Sequence, residues 1–131
     1  MKKVAVVALG GNALIKKGEK PTISNQYKTI SKAMSYIIPL AKKYSLIITH
    51  GSGFQVGTLL LRNELSKTKV PETPLNVLDA QVEGGLGYLI DQALINELKK
   101  HKLNISVVTT LTQVLVNKND PLFKRPTKPV G

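Results

Sequence analysis

Residues 44–65, YSLIITHGSGFQVGTLLLRNEL, join an apolar run to a helix-like segment through a turn rich in glycine. The run SLIIT predicts a buried strand, and the residues near 54–65 predict a helix. Three glycines between Gly51 and Gly57 are unfavourable for backbone entropy unless something requires them. The turn therefore either holds an anion such as phosphate or is only a tight connection.

A second stretch near the amino terminus has the same organisation. The run KKVAVVAL is continuously apolar after two lysines, which is typical of a parallel strand covered on both faces. It is followed by GGNALIKKGEK, which predicts a loop rich in glycine and lysine. The chain therefore has two glycine turns, GGNA and HGSG, each placed after a predicted strand.

The remaining elements follow from apolar spacing. Residues 21–44 predict a helix that opens with Pro21 and a cap at Thr22 or Ser24, and that is kinked near Pro39. A long helix is predicted over roughly residues 75–100, with one side formed by Leu78, Leu86, Leu89, Ala93 and Leu98. Its glycines are predicted to permit close packing of the helix or a dimer contact: Gly84, Gly85 and Gly87.

The carboxyl-terminal part is predicted to return to the sheet. Residues 104–117, NISVVTTLTQVLVN, predict a third strand and a fourth after a break at Thr110, and residues 118–131 predict a loop or arm. The order of strands and helices predicts an α/β fold with a mainly parallel sheet. Ligands of such sheets bind beyond the carboxyl ends of the strands, where both glycine turns fall.

Neither glycine turn matches the phosphate loop G-x-x-x-x-G-K-[ST] or the dinucleotide fingerprint G-x-G-x-x-G. Glycine nevertheless lets backbone N–H groups approach an anion closely, and the helix that follows adds partial positive charge. Asn12 supplies a neutral side-chain donor beside the first turn. A tight turn without a ligand remains the alternative at this stage.

Composition narrows the classes of partner. The net charge of +11 favours anionic partners such as nucleotides, small phosphates or nucleic acid. Two arginines, four tyrosines and two phenylalanines make nucleic-acid binding the weaker alternative. The absence of cysteine excludes disulfides and cysteine-based zinc sites, and His50 and His101 lie too far apart in sequence to predict a metal site. With no long apolar run and no signal-peptide cleavage site, we expect a cytoplasmic protein.

Five segments together resemble the carbamate kinases of the amino-acid kinase family, in the same order along the whole chain: VVALGGNAL (6–14), HGSGFQVG (50–57), PLNVLDAQ (74–81), GLGYLIDQAL (85–94) and TQVLVNKNDPLFKRPTKPVG (112–131). The resemblance implies a three-layer α/β/α sandwich and phosphoryl transfer between ATP and carbamate, with Mg²⁺, carbamoyl phosphate and ADP as the other participants. It also implies a homodimer joined through the amino-terminal domains and a place in arginine catabolism.

Residue roles are carried over from the same resemblance. The first phosphate-binding turn corresponds to Gly10, Gly11 and Asn12. The second turn, which in the family also faces carbamate, corresponds to Gly51, Ser52 and Gly53. Lys128 resembles the catalytic lysine of a mobile subdomain. No residue of this chain is expected to bind the Mg²⁺ by itself.

The chain departs from the family pattern in side chains and in length. Ser52 and Phe54 stand where the family has Asn and Pro, and Glu83 stands where a neutral amide is usual. We expect residues 1–117 to form a carbamate kinase-like amino-terminal domain and residues 118–131 to begin the protruding subdomain. The nucleotide-binding domain would then be absent and the chain truncated, so we expect no full catalysis by it alone. The alternative is a non-catalytic module for anion binding or dimeric assembly.

Overall fold

The computed structural model describes residues 2–127, which fall into two compact units. Within the described residues, the first unit comprises residues 2–51 and 85–109, and the second comprises residues 52–84 and 110–127. The elements follow in chain order: β1 (Val4–Leu9), α1 (Gly11–Leu14), α2 (Ile23–Lys43), β2 (Ser45–His50), α3 (Gly53–Ser66), α4 (Leu75–Lys100) and a 3₁₀ turn (Pro121–Phe123).

The first unit contains a parallel pair of strands. Strand β1 pairs with β2 in parallel, with Val4 opposite Ser45 and Leu9 opposite His50. Because parallel strands in register end side by side, the turns after Leu9 and His50 leave the same edge of the sheet. This arrangement confirms the predicted parallel α/β organisation.

Helix α2 connects the two strands and supplies much of the core of the first unit. It begins as predicted, because the Thr22 side chain accepts a hydrogen bond of 3.2 Å from the Asn25 N–H. Its most deeply buried side chains are Ile30, Met34 and Ile38. Pro39 lies inside the helix, which continues to Lys43.

Helix α4 contributes residues 75–84 to the second unit and residues 85–100 to the first. Its predicted apolar side is confirmed, since all five of its predicted members are buried: Leu78, Leu86, Leu89, Ala93 and Leu98. In the first unit, the Asn96 side-chain amide donates a hydrogen bond of 3.0 Å to the Tyr27 hydroxyl of α2. Such a bond between helices fixes their register in addition to the apolar packing.

Two side chains close loops in the second unit. The Asn63 amide donates to the Thr73 carbonyl at 3.0 Å and accepts from the Thr73 N–H at 2.9 Å, which ties α3 to the segment before α4. Glu83 accepts hydrogen bonds from the Thr112 N–H at 2.8 Å and from the Thr112 hydroxyl at 3.0 Å. The carboxylate that departs from the family pattern therefore holds Thr112 against α4.

Three predictions about secondary structure and burial are wrong. Residues 104–117 form no strand within the described chain, and Val108 and Leu115 are 80% and 99% exposed. A strand needs a neighbouring chain for its hydrogen bonds, and β propensity alone does not supply one. Part of the predicted loop GGNALIKKGEK is helical, because the Ala13 N–H donates a hydrogen bond to the Gly10 carbonyl and closes a turn. The predicted burial of the strands is also wrong: β1 is not covered on both faces and β2 is not a buried strand, since Val6 is 66% and Ile47 is 52% exposed.

No helix within residues 2–127 has both the length and the apolar character needed to cross a membrane.

Candidate functional site

The first glycine turn begins where β1 ends. Gly10 has an extended backbone with φ −77° and ψ 171°, and it precedes α1 without a side-chain cap. The first N–H groups of a helix have no partner within it, and Gly11 and Asn12 are the first residues of α1. Asn12 is exposed, and its side-chain amide has no hydrogen-bond partner among residues 2–127. The turn therefore presents neutral donors to solvent.

The second glycine turn begins beside it. Leu9 is the register partner of His50, so Gly10 and Gly51 follow paired residues at the carboxyl edge of the sheet. Gly51 is exposed, and its carbonyl lies 3.4 Å from the His50 Nδ1. The structure thus brings together the part of the predicted site that belongs to the first unit.

The glycines at this edge are not required by the backbone. When the residues next to each glycine in sequence and the backbone of its own helix are left out, no atom lies within 4 Å of a Cβ built on Gly10, Gly11 or Gly51. None of the three has positive φ. Gly18 is different, because its φ of +83° is a conformation that favours glycine. An alanine would therefore fit at the three edge positions without strain. Conformation does not explain these glycines, whereas close approach of a ligand to the backbone would.

Ser52 and Gly53 belong to the second unit and begin α3 there. Ser52 is the residue before the helix, with φ −139° and ψ 5°, but its side chain does not cap the helix. Its hydroxyl instead donates a hydrogen bond of 3.1 Å to Asp79 Oδ1 on α4. Gly53 is exposed and has open space around a Cβ built on it. The hydroxyl that sequence analysis assigned to the substrate thus already has a protein acceptor.

Asp79 is the site residue that sequence analysis missed. It lies in the segment PLNVLDAQ between Leu78 and Ala80, and it is half-buried near the start of α4. Carboxylates are mostly exposed unless they have a partner. An acidic side chain between apolar residues was therefore a signal, but its partner could not be read from local sequence.

The lysines near the turns are solvent-exposed. Lys16 forms an ion pair of 3.7 Å with Glu19, and both side chains are well exposed. The pKa of Lys67 is raised above its ordinary value, mainly because Lys67 donates a hydrogen bond to Glu64. That pair lies at the carboxyl-terminal end of α3, about 20 Å along the helix from the glycine turn. Lys128, predicted as the catalytic lysine, lies outside the described residues.

No cluster of three or more histidine, aspartate or glutamate side chains within residues 2–127 is arranged to hold a metal ion. The chemistry that the observed turns offer is hydrogen bonding to an anion by neutral donors.

Fold and site together define a class of protein. Parallel strands with open glycine turns side by side at their carboxyl ends are the arrangement by which α/β proteins bind anionic ligands. No model of a known protein family matches the chain. Individual relatives do match it, in sequence and in structure.

Carbamate kinase of Pyrococcus horikoshii is 43% identical over 134 residues, covering 100% of this chain and 43% of the relative. Carbamate kinase of Pyrococcus furiosus is 44% identical with the same coverage of both chains. The solved structure of carbamate kinase from Giardia lamblia bound to AMP-PNP superposes with a TM-score of 0.94 at 39% identity, covering 99% of this chain and 42% of that one.

The chain is therefore homologous to the carbamate kinases over its full length and has their α/β fold. It spans about 43% of the length of the relatives it matches and corresponds to their amino-terminal part.

Proposed function

We propose that this chain is the substrate-side part of a carbamate kinase and that its glycine turns bind the phosphoryl group of carbamoyl phosphate. The observation that carries the proposal is the set of unstrained, exposed glycines at one sheet edge, with open space around each of them. The reaction of the whole enzyme would be transfer of a phosphoryl group from carbamoyl phosphate to ADP, giving carbamate and ATP, or the reverse.

Each residue has a defined part in this proposal. The N–H groups of Gly11 and Asn12 and the Asn12 amide donate to phosphoryl oxygens, while Gly10 and Gly51 keep the approach to the backbone open. Helix α1 has only four residues, so its dipole adds little and the local donors dominate. The family resemblance supports a role for Ser52 and Gly53 in contacting the carbamoyl group and for Lys128 in neutralising developing charge. Phosphoryl transfer depends mainly on such positioning and charge stabilisation.

Mg²⁺ and ATP or ADP enter only as expectations from the family. The part that we propose for the residues of this chain is to hold the anionic substrate. The relatives are more than twice as long as the matched region, so we propose that the isolated chain binds substrate without turnover. ATP formation from carbamoyl phosphate and ADP, measured with luciferase, would contradict this part of the proposal.

Binding is tested by thermal unfolding of the purified chain. Fresh carbamoyl phosphate should raise the melting temperature at constant ionic strength, because ligand at ten times Kd stabilises the folded state by about 1.4 kcal/mol. For a chain of this size, that corresponds to a shift of about 5 °C. An equal concentration of chloride should leave the melting temperature unchanged. No shift with carbamoyl phosphate at concentrations up to tens of millimolar would sink the proposal.

The family resemblance also supports two further proposals, a homodimer and a cytoplasmic location. Sedimentation equilibrium of the purified chain tests the first, and fractionation of the source cells tests the second. The net charge of +11 favours one other candidate, nonspecific nucleic-acid binding. That candidate predicts an affinity for DNA that falls steeply with salt.

A further inference from the structure

The positive charge of the chain is concentrated in its first unit. The described residues of that unit include twelve lysines but only three acidic residues, Glu19, Asp91 and Glu97. Two of these acids are already paired, Glu19 with Lys16 and Glu97 with Lys100. The described residues of the second unit are nearly balanced, with six basic and five acidic residues. The attraction for anions therefore belongs mainly to the first unit.

Helix α2 carries four of the lysines of the first unit on one side. Five exposed residues fall within about 120° of the helix circumference: Lys28, Lys32, Tyr36, Lys42 and Lys43. We call these five residues the basic face of α2. The helix contains no acidic residue. Within residues 2–127, none of the four lysines forms an ion pair.

Helix stability explains only part of the basic face. Lys42 and Lys43 lie in the last turn of α2, where positive charge is favourable. Lys28 and Lys32 lie four residues apart and outside that turn, an arrangement in which like charges repel and destabilise the helix. Because folding supplies these two lysines with no acidic partner, an external anion is the group that would relieve their repulsion.

The basic face has the length and the side chains of a surface for a strand of nucleic acid. From Lys28 to Lys43 it spans about 22 Å along the helix axis, enough to follow several phosphates of one strand. Lys2 adds a positive charge at the end of the helix, where its ammonium group donates to the Ala41 carbonyl over 3.2 Å. Tyr36 is 68% exposed and offers a ring on which an unpaired base can stack.

We propose that the basic face of α2 binds single-stranded nucleic acid, with its lysines on the phosphates and Tyr36 against a base. An anionic membrane fits less well, because the apolar side of α2 is buried in the core at Ile30, Met34 and Ile38 and has no access to a bilayer. The inference goes beyond the proposed binding of carbamoyl phosphate and uses no residue of the glycine turns. It gives nucleic-acid binding a location, which the net charge alone does not.

Fluorescence anisotropy of a labelled oligothymidylate of about 15 nucleotides measures binding to the 131-residue chain. We expect a Kd in the micromolar range at low salt. The logarithm of Kd should rise with the logarithm of salt concentration with a slope of about 3, since each of four lysine–phosphate contacts contributes about 0.7.

Two pairs of substitutions separate the basic face from the net charge. Lys28→Gln combined with Lys32→Gln should weaken binding about tenfold and lower the salt slope by about 1.4. Lys69→Gln combined with Lys118→Gln removes the same charge from the second unit. This control should leave Kd nearly unchanged, because it removes no contact with the strand.

Tyr36 is tested with a strand that lacks bases. Tyr36→Ala should weaken binding of the oligothymidylate about tenfold, the effect of losing one stacked base. The same substitution should leave the affinity for an abasic strand of equal length unchanged, because that strand offers phosphates and no base. Tyr36→Phe retains the ring and should retain the affinity for both strands.

Four results would overturn the inference. The first is equal weakening by the two pairs of lysine substitutions, which would show attraction by net charge alone. The second is an equal effect of Tyr36→Ala on the oligothymidylate and the abasic strand. The third is binding to phosphatidylserine vesicles that is as tight and depends equally on Lys28 and Lys32, and the fourth is no binding of the oligothymidylate at low salt. Each leaves the proposed function intact, because that is tested with carbamoyl phosphate.

Discussion

Individual glycines of this chain serve different physical purposes. A Cβ on Gly87 would overlap the Thr109 side chain and lie 3.0 Å from its Oγ1, so alanine there would force Thr109 to shift. A Cβ on Gly10 or Gly51 would meet nothing within 4 Å. The first kind of glycine serves the fold, and we propose that the second kind serves a ligand.

Gly87→Ala should lower the free energy of unfolding by about 1 kcal/mol, because crowding of Thr109 by the added methyl group outweighs the gain in helix propensity. Gly85→Ala is the matched control. Gly85 also lies inside α4 but has no neighbour within 4 Å, so alanine there should raise stability by about 0.5–1 kcal/mol. Urea unfolding measures both values, and equal effects of the two substitutions would contradict this account.

The sequence predicted the contacts of these residues only in part. The predicted close packing at the glycines of α4 is confirmed at Gly87, and Gly84 would make an ordinary 3.8 Å contact with Leu111. The sequence could not separate Gly87 from Gly85, because the difference depends on a segment that approaches from elsewhere in the chain. The bond from Ser52 to Asp79 escaped prediction for the same reason, since the partners are 27 residues apart.

Helix ends depend on local signals, and the end of α4 is an example. Lys102 has φ +55°, and Leu103 N–H donates to the Leu98 carbonyl at 2.9 Å. This is the Schellman arrangement, in which the left-handed position normally carries glycine. Here a lysine occupies it, at some cost in backbone energy.

Lys102→Gly should therefore raise the free energy of unfolding by about 1 kcal/mol, because glycine adopts the left-handed conformation without steric strain. Lys99→Gly removes the same kind of side chain from the last turn of α4 and should lower stability by about 1 kcal/mol. Thermal unfolding at fixed pH compares the two variants. Destabilisation by Lys102→Gly as large as that by Lys99→Gly would refute the assignment of the cap.

The helices could be predicted closely because their signals are local. The helix predicted over residues 54–65 spans Gly53–Ser66 in the structure, and the helix predicted over residues 75–100 spans Leu75–Lys100. The turn of α1 was missed because two glycines weaken its helical signal. The strands predicted in 104–117 failed because strand formation depends on a partner that local sequence does not identify.

For the molecule as a whole, one face of the sheet in the first unit remains uncovered. Val6 and Ile47 are register partners on β1 and β2, and they are 66% and 52% exposed. Parallel sheets are ordinarily covered on both faces. An exposed apolar face of this kind favours self-association.

We therefore expect the purified chain to associate with increasing concentration. Val6→Thr should weaken this association, because threonine keeps the β-branched shape while making the face more polar. Tyr36→Ser, at an exposed position of α2, is the control and should leave association unchanged. Sedimentation velocity over a range of concentrations measures the effect. A monomer at all concentrations would contradict this expectation.

The central claim is that neutral donors at the two glycine turns bind a phosphoryl group. The most direct measurement is a titration of ¹⁵N-labelled chain with phosphonoacetamide at constant ionic strength, followed by amide chemical shifts. The account predicts saturable shifts that are largest at Gly11, Asn12 and Gly51. Shifts confined to exposed lysine segments, or an absence of saturation, would show that the net charge of +11 attracts the anion nonspecifically and would contradict the claim.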